Sequence, residues 1–559
     1  MSEVNQIRKR LEQLEHLHRI GVALGAEHDR DRLVERILLE AKALCRADGG
    51  SVYLRTDDDH LKFTIMRNDS LGLALGGTTG RPIDLPTVPM YLHDGSPNHG
   101  HVASYCATKN TAVNIPDAYK AEGFDFSGTK TFDEHNGYRS RSFLTIPLTN
   151  QEQRVIGVLQ LLNAQTDGMV GPFDPELEEL VIALAFQAGV ALDNQILMSS
   201  QRALMEAFIQ LLAAAIDDKS PYTGGHCRRV PMITQQIAEA VCAISEGPYA
   251  DFQLNEEEWY ELKIAAWLHD CGKVTTPVHV MDKATKLETI HDRIELVRLR
   301  FDLAHRDVDV DYHRALARGL SESQATAARE AAKDELREDL AFIEKANIGG
   351  EFMTEDDRAR IHHIAERQVT TQQGSAPLLT KDEVKNLTIS KGTLTREERM
   401  VVNGHMVQTV RMLESLPFPR HLKRVPEYAC GHHEKMDGTG YPKGLFAGDM
   451  SVPARIMAIA DVFEALTAAD RPYKKGKALS ETMNIMGSMK RNNHLDPELF
   501  NIFISSGVYR RYAESYLPAD LVDDVNEAEL LAIEPKLFEL PQKAERDLRW
   551  HDLRPEYRR

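Results

Sequence analysis

Two short segments concentrate side chains of the kind that bind divalent metal ions. One runs from His269 to Lys273 (His-Asp-Cys-Gly-Lys), and the other runs from His432 to Pro442 (His-His-Glu-Lys-Met-Asp-Gly-Thr-Gly-Tyr-Pro). Imidazoles and carboxylates together suit transition-metal ions, and one carboxylate can bridge two ions through its two oxygens. With Asp461 downstream, the segments supply more His and Asp residues than one mononuclear site needs.

A positive charge beside the first pair indicates a phosphate substrate. Lys273 lies three residues after Asp270 and can set its ammonium group against a phosphate oxygen, and Gly272 is expected to let the backbone approach a ligand. An isolated His-Asp pair is more often structural, and two adjacent histidines often have one buried and one exposed ring. Both segments together, with the Gly- and Pro-containing loop, favour a metal-dependent phosphodiesterase.

Length, charge and cysteine usage limit which classes of protein the chain can belong to. A chain of 559 residues is expected to form two or three domains. Its 85 acidic and 67 basic residues give a formal charge of −18, which argues against binding long nucleic acid. The six cysteines form no C-x-x-C pair, no secretion signal is visible, and polar residues interrupt the most apolar stretch (181–198). We therefore expect a cytoplasmic protein without membrane insertion.

The hydrophobic pattern predicts two domains joined by a long helix. Residues 1–16 are expected to form an amphipathic helix, and residues 17–197 an antiparallel sheet flanked by helices. Residues 175–219 are expected to form a connecting helix, with a break near Ser199 as the alternative. Residues 205–509 are expected to be all-α, with a charged helical insertion at about 302–390, and residues 510–559 form a C-terminal extension.

The metal-type segments resemble the HD-GYP phosphodiesterases, a branch of the HD metallohydrolases known for cleaving cyclic di-GMP. Residues 432–442 reproduce the family motif HHExxDGxGYP in full, and residues 269–273 match HDxGK. The resemblance implies two divalent transition-metal ions, Fe or Mn, since imidazole-rich ligation favours these over Mg. Tyr222 stands where family members with a third metal carry Glu, so a third ion is not expected.

The same resemblance assigns roles to individual residues. One ion would be bound by His226, His269, Asp270 and Asp461, and the other by Asp270, His405, His432 and His433. The implied catalytic residues are His269, Asp270 and Lys273, and the implied substrate contacts are Lys273, Asp437, Tyr441, Arg471 and Lys474. No protein nucleophile is required, because the implied attacking group is a water activated between the two ions.

The N-terminal sheet resembles a GAF domain of the cyclic-nucleotide type. The resemblance rests on residues 113–119 (Val-Asn-Ile-Pro-Asp-Ala-Tyr), 132–133 (Phe-Asp) and 137–142 (Gly-Tyr-Arg-Ser-Arg-Ser). It implies a sensor domain whose ligand pocket contains Asn114, Asp117, Asp133 and Arg139. The Asn-Lys pair of the family reads Asn163-Ala164 here, so another small molecule as ligand, or a role in dimerisation alone, stays open.

Together the resemblances imply an enzyme that hydrolyses cyclic di-GMP to linear pGpG or GMP under control of the GAF domain. Two alternatives stay open: the same chemistry on cyclic GMP-AMP or another phosphoester, and a catalytically silent cyclic di-GMP receptor. Every metal-ligand position is occupied, which favours the enzyme. The expected partners are a second copy of the chain in a homodimer, a small molecule at the GAF domain, and signalling domains that bind the GYP loop.

Overall fold

The computed structural model describes residues 3–166, 168–219, 225–350, 352–468 and 476–539, together with Leu553 and Tyr557. The chain divides into two compact units, Met1–Met205 and Glu206–Arg559. The helices that begin in the first unit are α1 (Glu3–Gly25), α2 (Arg30–Cys45), α3 (Val102–Lys109), α4 (Ser127–Asn136) and α5 (Pro175–Lys219). Its strands are β1 (Ala47–Arg55), β2 (His60–Asn68), β3 (Leu73–Gly76), β4 (Val88–Pro89), β5 (Val113–Ile115), β6 (Phe143–Thr149), β7 (Val155–Thr166) and β8 (Met169–Gly171).

The first unit is built on one antiparallel sheet. Its strands follow the order β3-β2-β1-β7-β6-β5, with β4 paired to β2 and β8 paired to β7. Val52, Leu159 and Ile146 lie side by side on three neighbouring strands and are buried on one face of the sheet, as the two-residue period of a strand requires. Helices α2 and α5 contribute Ile37 and Leu184 to the same core. The predicted fold class, an antiparallel sheet with flanking helices, is confirmed.

Helix α5 continues through Ser199 without a break. Its first half packs against the sheet: Val181 and Ala188 are fully buried, and a Cβ atom on Gly189 would lie 2.2 Å from the carbonyl oxygen of Thr149. Among the described residues, α5 alone is long and apolar enough to cross a membrane. Length and composition by themselves are weak evidence for a span, because the core helix of a soluble protein passes the same test.

The second unit is mainly helical. Its helices are α6 (His226–Cys242), α7 (Glu256–Leu268), α8 (Val278–Met281), α9 (Ile294–Ala317), α10 (Glu322–Ile348), α11 (Glu355–Glu366), α12 (Lys381–Leu387), α13 (Arg396–Glu414), α14 (Val425–Cys430), α15 (Val452–Thr467), α16 (Leu479–Arg491), α17 (Pro497–Ser505), α18 (Val508–Tyr516) and α19 (Glu527–Leu531). Capping boxes start four of them, with Asn255 at α7, Thr354 at α11, Thr380 at α12 and Thr395 at α13. Each box satisfies backbone groups at the helix start and so fixes where the helix begins.

The insertion differs from the purely helical prediction. Between α11 and α12 the chain forms a hairpin of two short antiparallel strands, β9 (Gln368–Thr371) and β10 (Gly374–Pro377). Polar residues dominate β9, and β10 (Gly-Ser-Ala-Pro) begins with Gly and ends with Pro, so the sequence carries no hydrophobic alternation that would have predicted either strand. The insertion also has its own core, in which Phe301, Ile343 and Leu378 are fully buried.

Two buried lysines hold the start and the end of the insertion together. The Nζ atom of Lys283 donates to both carboxylate oxygens of Glu398, at 2.8 Å each, and to Asn386. The Nζ atom of Lys286 donates to the carbonyl oxygens of Leu387 and Ile389 at 2.9 and 2.8 Å. Burial, with a smaller contribution from Arg358, lowers the pKa of Lys286 to about 8.

Replacing Lys286 with Met is expected to change how stability depends on pH. A lysine whose folded-state pKa lies below its unfolded value of 10.5 binds fewer protons when folded, so the wild-type protein should gain stability relative to Lys286→Met between about pH 8 and about pH 10.5. The expected gain is on the order of 3 kcal/mol. Urea unfolding of both proteins across this pH range measures it.

The exposed Lys381 on α12 provides a matched control, because Lys381→Met removes a solvated charge from the same subdomain. Its unfolding free energy should follow the wild-type pH dependence. Parallel pH curves for wild type and Lys286→Met would show that burial of Lys286 does not affect its protonation.

Candidate metal centre

Five helices in the second unit, and the residues that directly follow two of them, bring the predicted metal ligands together. His226 begins α6, His269 and Asp270 directly follow α7, and His405 lies within α13. The remaining three are His432 and His433, which follow α14, and Asp461, which lies within α15. All seven residues come from positions that the sequence analysis named.

The first cluster contains His226, His269, Asp270 and Asp461. One ligand atom from each of the four lies within 4.8 Å of the others, and all four residues are buried. The Nε2 atom of His226 lies 3.2 Å from Asp270 Oδ2 and 3.2 Å from Asp461 Oδ1. The Nε2 atom of His269 lies 3.2 Å from the same Oδ2 atom. Two imidazoles and two carboxylates thus face one point.

The second cluster contains His405, His432 and His433, whose ligand atoms also lie within 4.8 Å of one another. Asp270 connects it to the first cluster, because its other oxygen, Oδ1, lies 3.3 Å from His405 Nε2. One carboxylate therefore faces both clusters with different oxygen atoms. This arrangement fits a bridging ligand between two metal ions.

Backbone carbonyls orient three of the imidazoles. The Nδ1 atoms of His269, His405 and His432 lie 2.7, 2.6 and 2.6 Å from the carbonyl oxygens of the residues three positions earlier. A ring that donates its Nδ1 proton to a carbonyl keeps a lone pair on Nε2, which is the atom that faces the cluster in each case. The rings are therefore fixed in the tautomer that a metal site needs.

The donor atoms of the site suit divalent ions. Asp270 Oδ1, His405 Nε2 and His432 Nε2 are buried and have no hydrogen-bond partner among the described residues. Unpaired buried polar atoms are costly, and a bound cation would satisfy all three. The chemistry of this donor set, five imidazoles and two carboxylates, fits two transition-metal ions.

The pKa values of His432, His433 and Asp270 suit a bound cation, whereas Glu464 and Asp270 outweigh burial and hold the pKa of His226 well above its usual value. Burial lowers the pKa of His432 to about 4 and holds the pKa of His433 well below its usual value, so both imidazoles are neutral. Burial would raise the pKa of Asp270, but Lys273 and His269 outweigh it and hold the pKa well below its usual value. Neutral imidazoles and ionised carboxylates are the protonation states that bind metals.

The turn after His269 is tightly fixed against α13. The backbone N–H of Gly272 donates to Thr409 Oγ1 at 3.0 Å, and a Cβ atom on Gly272 would lie 2.0 Å from the carbonyl oxygen of His405. Glycine is needed here for the close approach to α13, and the expected approach to a ligand stays a prediction. The turn places Lys273 Nζ at 2.5 Å from Asp270 Oδ2.

The loop that follows His433 folds back on itself around Glu434. The buried carboxylate of Glu434 accepts hydrogen bonds from the backbone N–H groups of Lys443, Gly444 and Leu445 at 2.7 to 3.0 Å. Asp437, a predicted substrate contact, accepts from the backbone N–H and hydroxyl of Thr439.

The other predicted substrate contact of this loop is Tyr441. Its ring stacks on that of His433, with 4.9 Å between ring centroids and 17° between ring planes. The loop therefore lies directly against the second metal cluster.

The sequence analysis gave no role to Glu464, which supports the first cluster. One carboxylate oxygen of Glu464 contacts the Nδ1 atom of His226, and the other accepts from Arg229 Nε at 2.7 Å. Glu464 lies three residues after Asp461 on α15, a spacing that puts both on one helix face and could have indicated it. Carboxylates that bind a ligating histidine in this way commonly tune metal affinity.

We expect Glu464→Gln to weaken metal binding at the first cluster by about 10- to 100-fold, since the amide keeps the size but loses the charge that orients His226. Excess metal should restore most of any lost activity. Metal titration of the metal-free protein measures the affinity.

The exposed Glu514 on α18 offers a matched control, and Glu514→Gln should titrate like the wild type. Equal metal affinity of Glu464→Gln and wild type would mean that Glu464 acts only in packing.

Three positions from the sequence analysis lie outside the described residues. These are Tyr222, where a third-metal Glu would stand, and the substrate contacts Arg471 and Lys474. Their roles stay predictions.

In the first unit, three of the four predicted GAF-pocket residues gather around Tyr119. Asp117 accepts from the Tyr119 backbone N–H at 3.0 Å, Asp133 accepts from its hydroxyl at 2.8 Å, and the Arg139 guanidinium lies 4.5 Å from its ring centroid. Asn114 lies apart from them and donates to Glu178 at 2.8 Å. The described contacts hold loops together, and ligand binding by these residues stays a prediction.

The fold and the two clusters define an HD-type metal-binding domain that follows a GAF domain. A family model described as a GAF domain matches residues 29–192, and one described as an HD domain matches residues 378–499. The HD match includes His405, His432, His433 and Asp461, and an HD domain indicates the use of divalent metal. The resemblance to an HD-GYP-type domain behind a GAF domain is confirmed.

Curated relatives match short stretches of the chain. A "3'3'-cGAMP-specific phosphodiesterase 1" of Vibrio cholerae is 39% identical over 113 residues, which are 20% of this chain and 25% of that protein. A cyclic di-GMP phosphodiesterase of Pseudomonas aeruginosa is 40% identical over 119 residues, which are 21% and 28%. One of Thermotoga maritima is 32% identical over 156 residues, which are 26% and 42%. The chain thus covers less than half the length of each.

Solved structures match the first unit. The GAF domain of an Acinetobacter phosphoenolpyruvate-protein phosphotransferase aligns with 34% of this chain and 98% of its own, at 16% identity and a TM-score of 0.25. The corresponding domain from Coxiella burnetii aligns with 35% and 98%, at 14% identity and a TM-score of 0.26. The GAF assignment rests on the family model and on the sheet described above.

Proposed function

We propose that this protein is a metal-dependent cyclic dinucleotide phosphodiesterase whose preferred substrate is cyclic di-GMP. The observation that carries the proposal is Asp270, whose two oxygens face two separate clusters of metal-type ligands. A mononuclear or purely structural site has no need of a carboxylate shared in this way.

The residues of this chain have separable roles in the proposed reaction. Asp270 provides one carboxylate oxygen to each of the two clusters, and His432 and His433 supply neutral imidazoles to the second cluster. Lys273, beside the shared carboxylate, neutralises charge on the phosphate as it grows in the transition state. When bound, the two ions supply the Lewis acidity that activates the attacking water and the phosphodiester.

The donor set supports Fe or Mn in both clusters. Five of the seven ligands are imidazoles, whereas Mg prefers an all-oxygen environment with several waters.

The names of the relatives support two candidate substrates. Proteins named for cyclic di-GMP and proteins named for 3'3'-cGAMP both match this domain at similar identity. Cyclic di-GMP is the preferred candidate because the HHExxDGxGYP motif is complete, and cyclic GMP-AMP is the second candidate. A silent receptor is the candidate of a different class, and the complete ligand set speaks against it.

The regulatory part of the proposal is a GAF domain that binds a small molecule and acts through a dimer. Leu197, Leu204, Phe208 and Leu211 on α5 are exposed and follow spacings of seven, four and three residues. This spacing is typical of a coiled-coil seam, so we assign it to a second copy of the chain. We place the protein in the cytoplasm, with signalling domains as further partners of the GYP loop.

Anaerobic purification, loading with Fe(II) or Mn(II), and incubation with cyclic di-GMP and cyclic GMP-AMP test the proposal. Chromatography distinguishes linear pGpG from GMP among the products. Hydrolysis of cyclic di-GMP that a chelator abolishes supports the proposal, and a preference for cyclic GMP-AMP would move the protein to the second candidate. Binding without turnover under either metal would favour the receptor.

A further inference from the structure

The C-terminal extension is attached beside the motif loop. The side-chain amide of Asn493 donates to the carbonyl oxygen of Lys536 at 2.7 Å, and the backbone N–H of Lys536 donates to Arg491 at 2.8 Å. The carbonyl oxygen of Asn493 in turn accepts from the backbone N–H of Met436, inside the HHExxDGxGYP motif, at 2.9 Å. One residue, Asn493, therefore links the extension to the motif.

A second contact lies farther along the extension, at Tyr557. Its ring stacks on that of Tyr441, with 6.0 Å between centroids and 28° between planes. Its hydroxyl accepts from the side-chain amide of Asn403 at 3.2 Å. Asn403 lies on α13, two residues before the metal-type ligand His405.

These contacts make a stack of three rings that starts at the metal centre. His433 belongs to the second cluster, Tyr441 covers its ring, and Tyr557 covers Tyr441. Proteins also bind nucleobases by stacking them on the ring of a tyrosine, because every base offers a π-face. Tyr557 thus lies where a purine would stack if the adjoining phosphate were at the metal centre.

We infer that the outer face of Tyr441 is a purine-stacking subsite and that Tyr557 competes with substrate for it. The inference rests on the proposed function, because it takes a cyclic dinucleotide as the ligand. While Tyr557 is seated, the subsite is closed, so the chain inhibits its own substrate binding. Release of Tyr557 opens the subsite without changing any metal ligand.

Removing the Tyr557 ring is expected to tighten substrate binding. In the full-length, metal-loaded protein, Tyr557→Ala should lower KM for cyclic di-GMP by about 3- to 10-fold with kcat little changed, because a larger fraction of chains is then competent to bind. Tyr557→Phe keeps the stack and should stay closer to wild type. Leu537→Ala, at a fully exposed position of the same extension, is the control and should leave KM unchanged.

A chain that lacks residues 540–559 should behave like Tyr557→Ala, and a synthetic 540–559 peptide added to it should inhibit competitively. Hydrogen exchange of the backbone amides in 440–445 gives a readout independent of catalysis, and it should be faster in Tyr557→Ala. If exchange is faster in Tyr557→Ala but no variant and no wild-type protein turns over substrate, the phosphodiesterase assignment is overturned, while the contact of Tyr557 with Tyr441 is supported. Unchanged KM in Tyr557→Ala, with active wild-type enzyme, would overturn the competition.

Discussion

Replacing Asp270 with Ala is expected to abolish hydrolysis and to lower the metal content together. Asp270 Oδ2 lies 3.2 Å from both His226 and His269, and Oδ1 lies 3.3 Å from His405, so its loss removes a ligand from both clusters. Partners that only orient a ligand are worth about 10- to 100-fold. Loss of the shared ligand should therefore lower kcat by at least about 10³-fold.

Metal analysis of the purified variant, beside hydrolysis of cyclic di-GMP, measures both effects. Asp270→Asn separates charge from size, since the amide fits the site but cannot bridge two cations as a carboxylate does. His279→Ala removes an exposed histidine from the same unit and should keep full metal content and activity. If Asp270→Ala kept both metals or the wild-type rate, Asp270 would not be the bridge.

Replacing Lys273 with Met should separate catalysis from metal binding. The lysine is not a ligand, so the metal content should stay at the wild-type value, whereas kcat should fall by about 10²- to 10³-fold, the usual effect of removing one preorganised electrostatic contact to a transition state. The methionine side chain retains most of the packing of the lysine stem.

Lys263→Met provides the comparison, because Lys263 forms a surface ion pair with Glu206 and takes no part in the metal centre. Metal content and rate of each variant should be measured on the same preparation. If kcat of Lys273→Met falls by less than about tenfold, Lys273 is not the cation that stabilises the phosphate in the transition state. If the metal content falls in parallel with kcat, the role of Lys273 is to hold Asp270 in place.

The metal-type ligands were predictable because their motifs are local in sequence and specific in residue type. His432 and His433 are adjacent, as are His269 and Asp270, and the structure brings both pairs together with His405. The buried Glu434 and Glu464 were not assigned roles, because their partners are backbone amides or side chains distant in sequence, although the spacing of Glu464 from Asp461 places both on one helix face. Supporting contacts of this kind need the tertiary fold.

The fold, like the site, has elements that the sequence predicts and elements that it does not. Helices with strong periodicity were predicted from the sequence, and so was the antiparallel sheet, whose central strands are short apolar segments that are buried along most of their length. The hairpin β9–β10 was missed because its strands are four residues long, β9 is largely polar, and β10 contains Gly and Pro, which are uncommon in strands. The stacking of Tyr557 on Tyr441 joins residues more than a hundred positions apart, and nothing near either residue indicates the contact.

The two buried lysines at the base of the insertion make it a separate structural module. Lys283 and Lys286 meet Asn386 and Leu387, so the chain leaves the metal-binding helices and returns to them at one place. Everything between these points folds around its own core. Domain insertions are tolerated where the ends lie close together. This module can therefore be replaced by another one, while the helices that carry the metal ligands keep their own contacts.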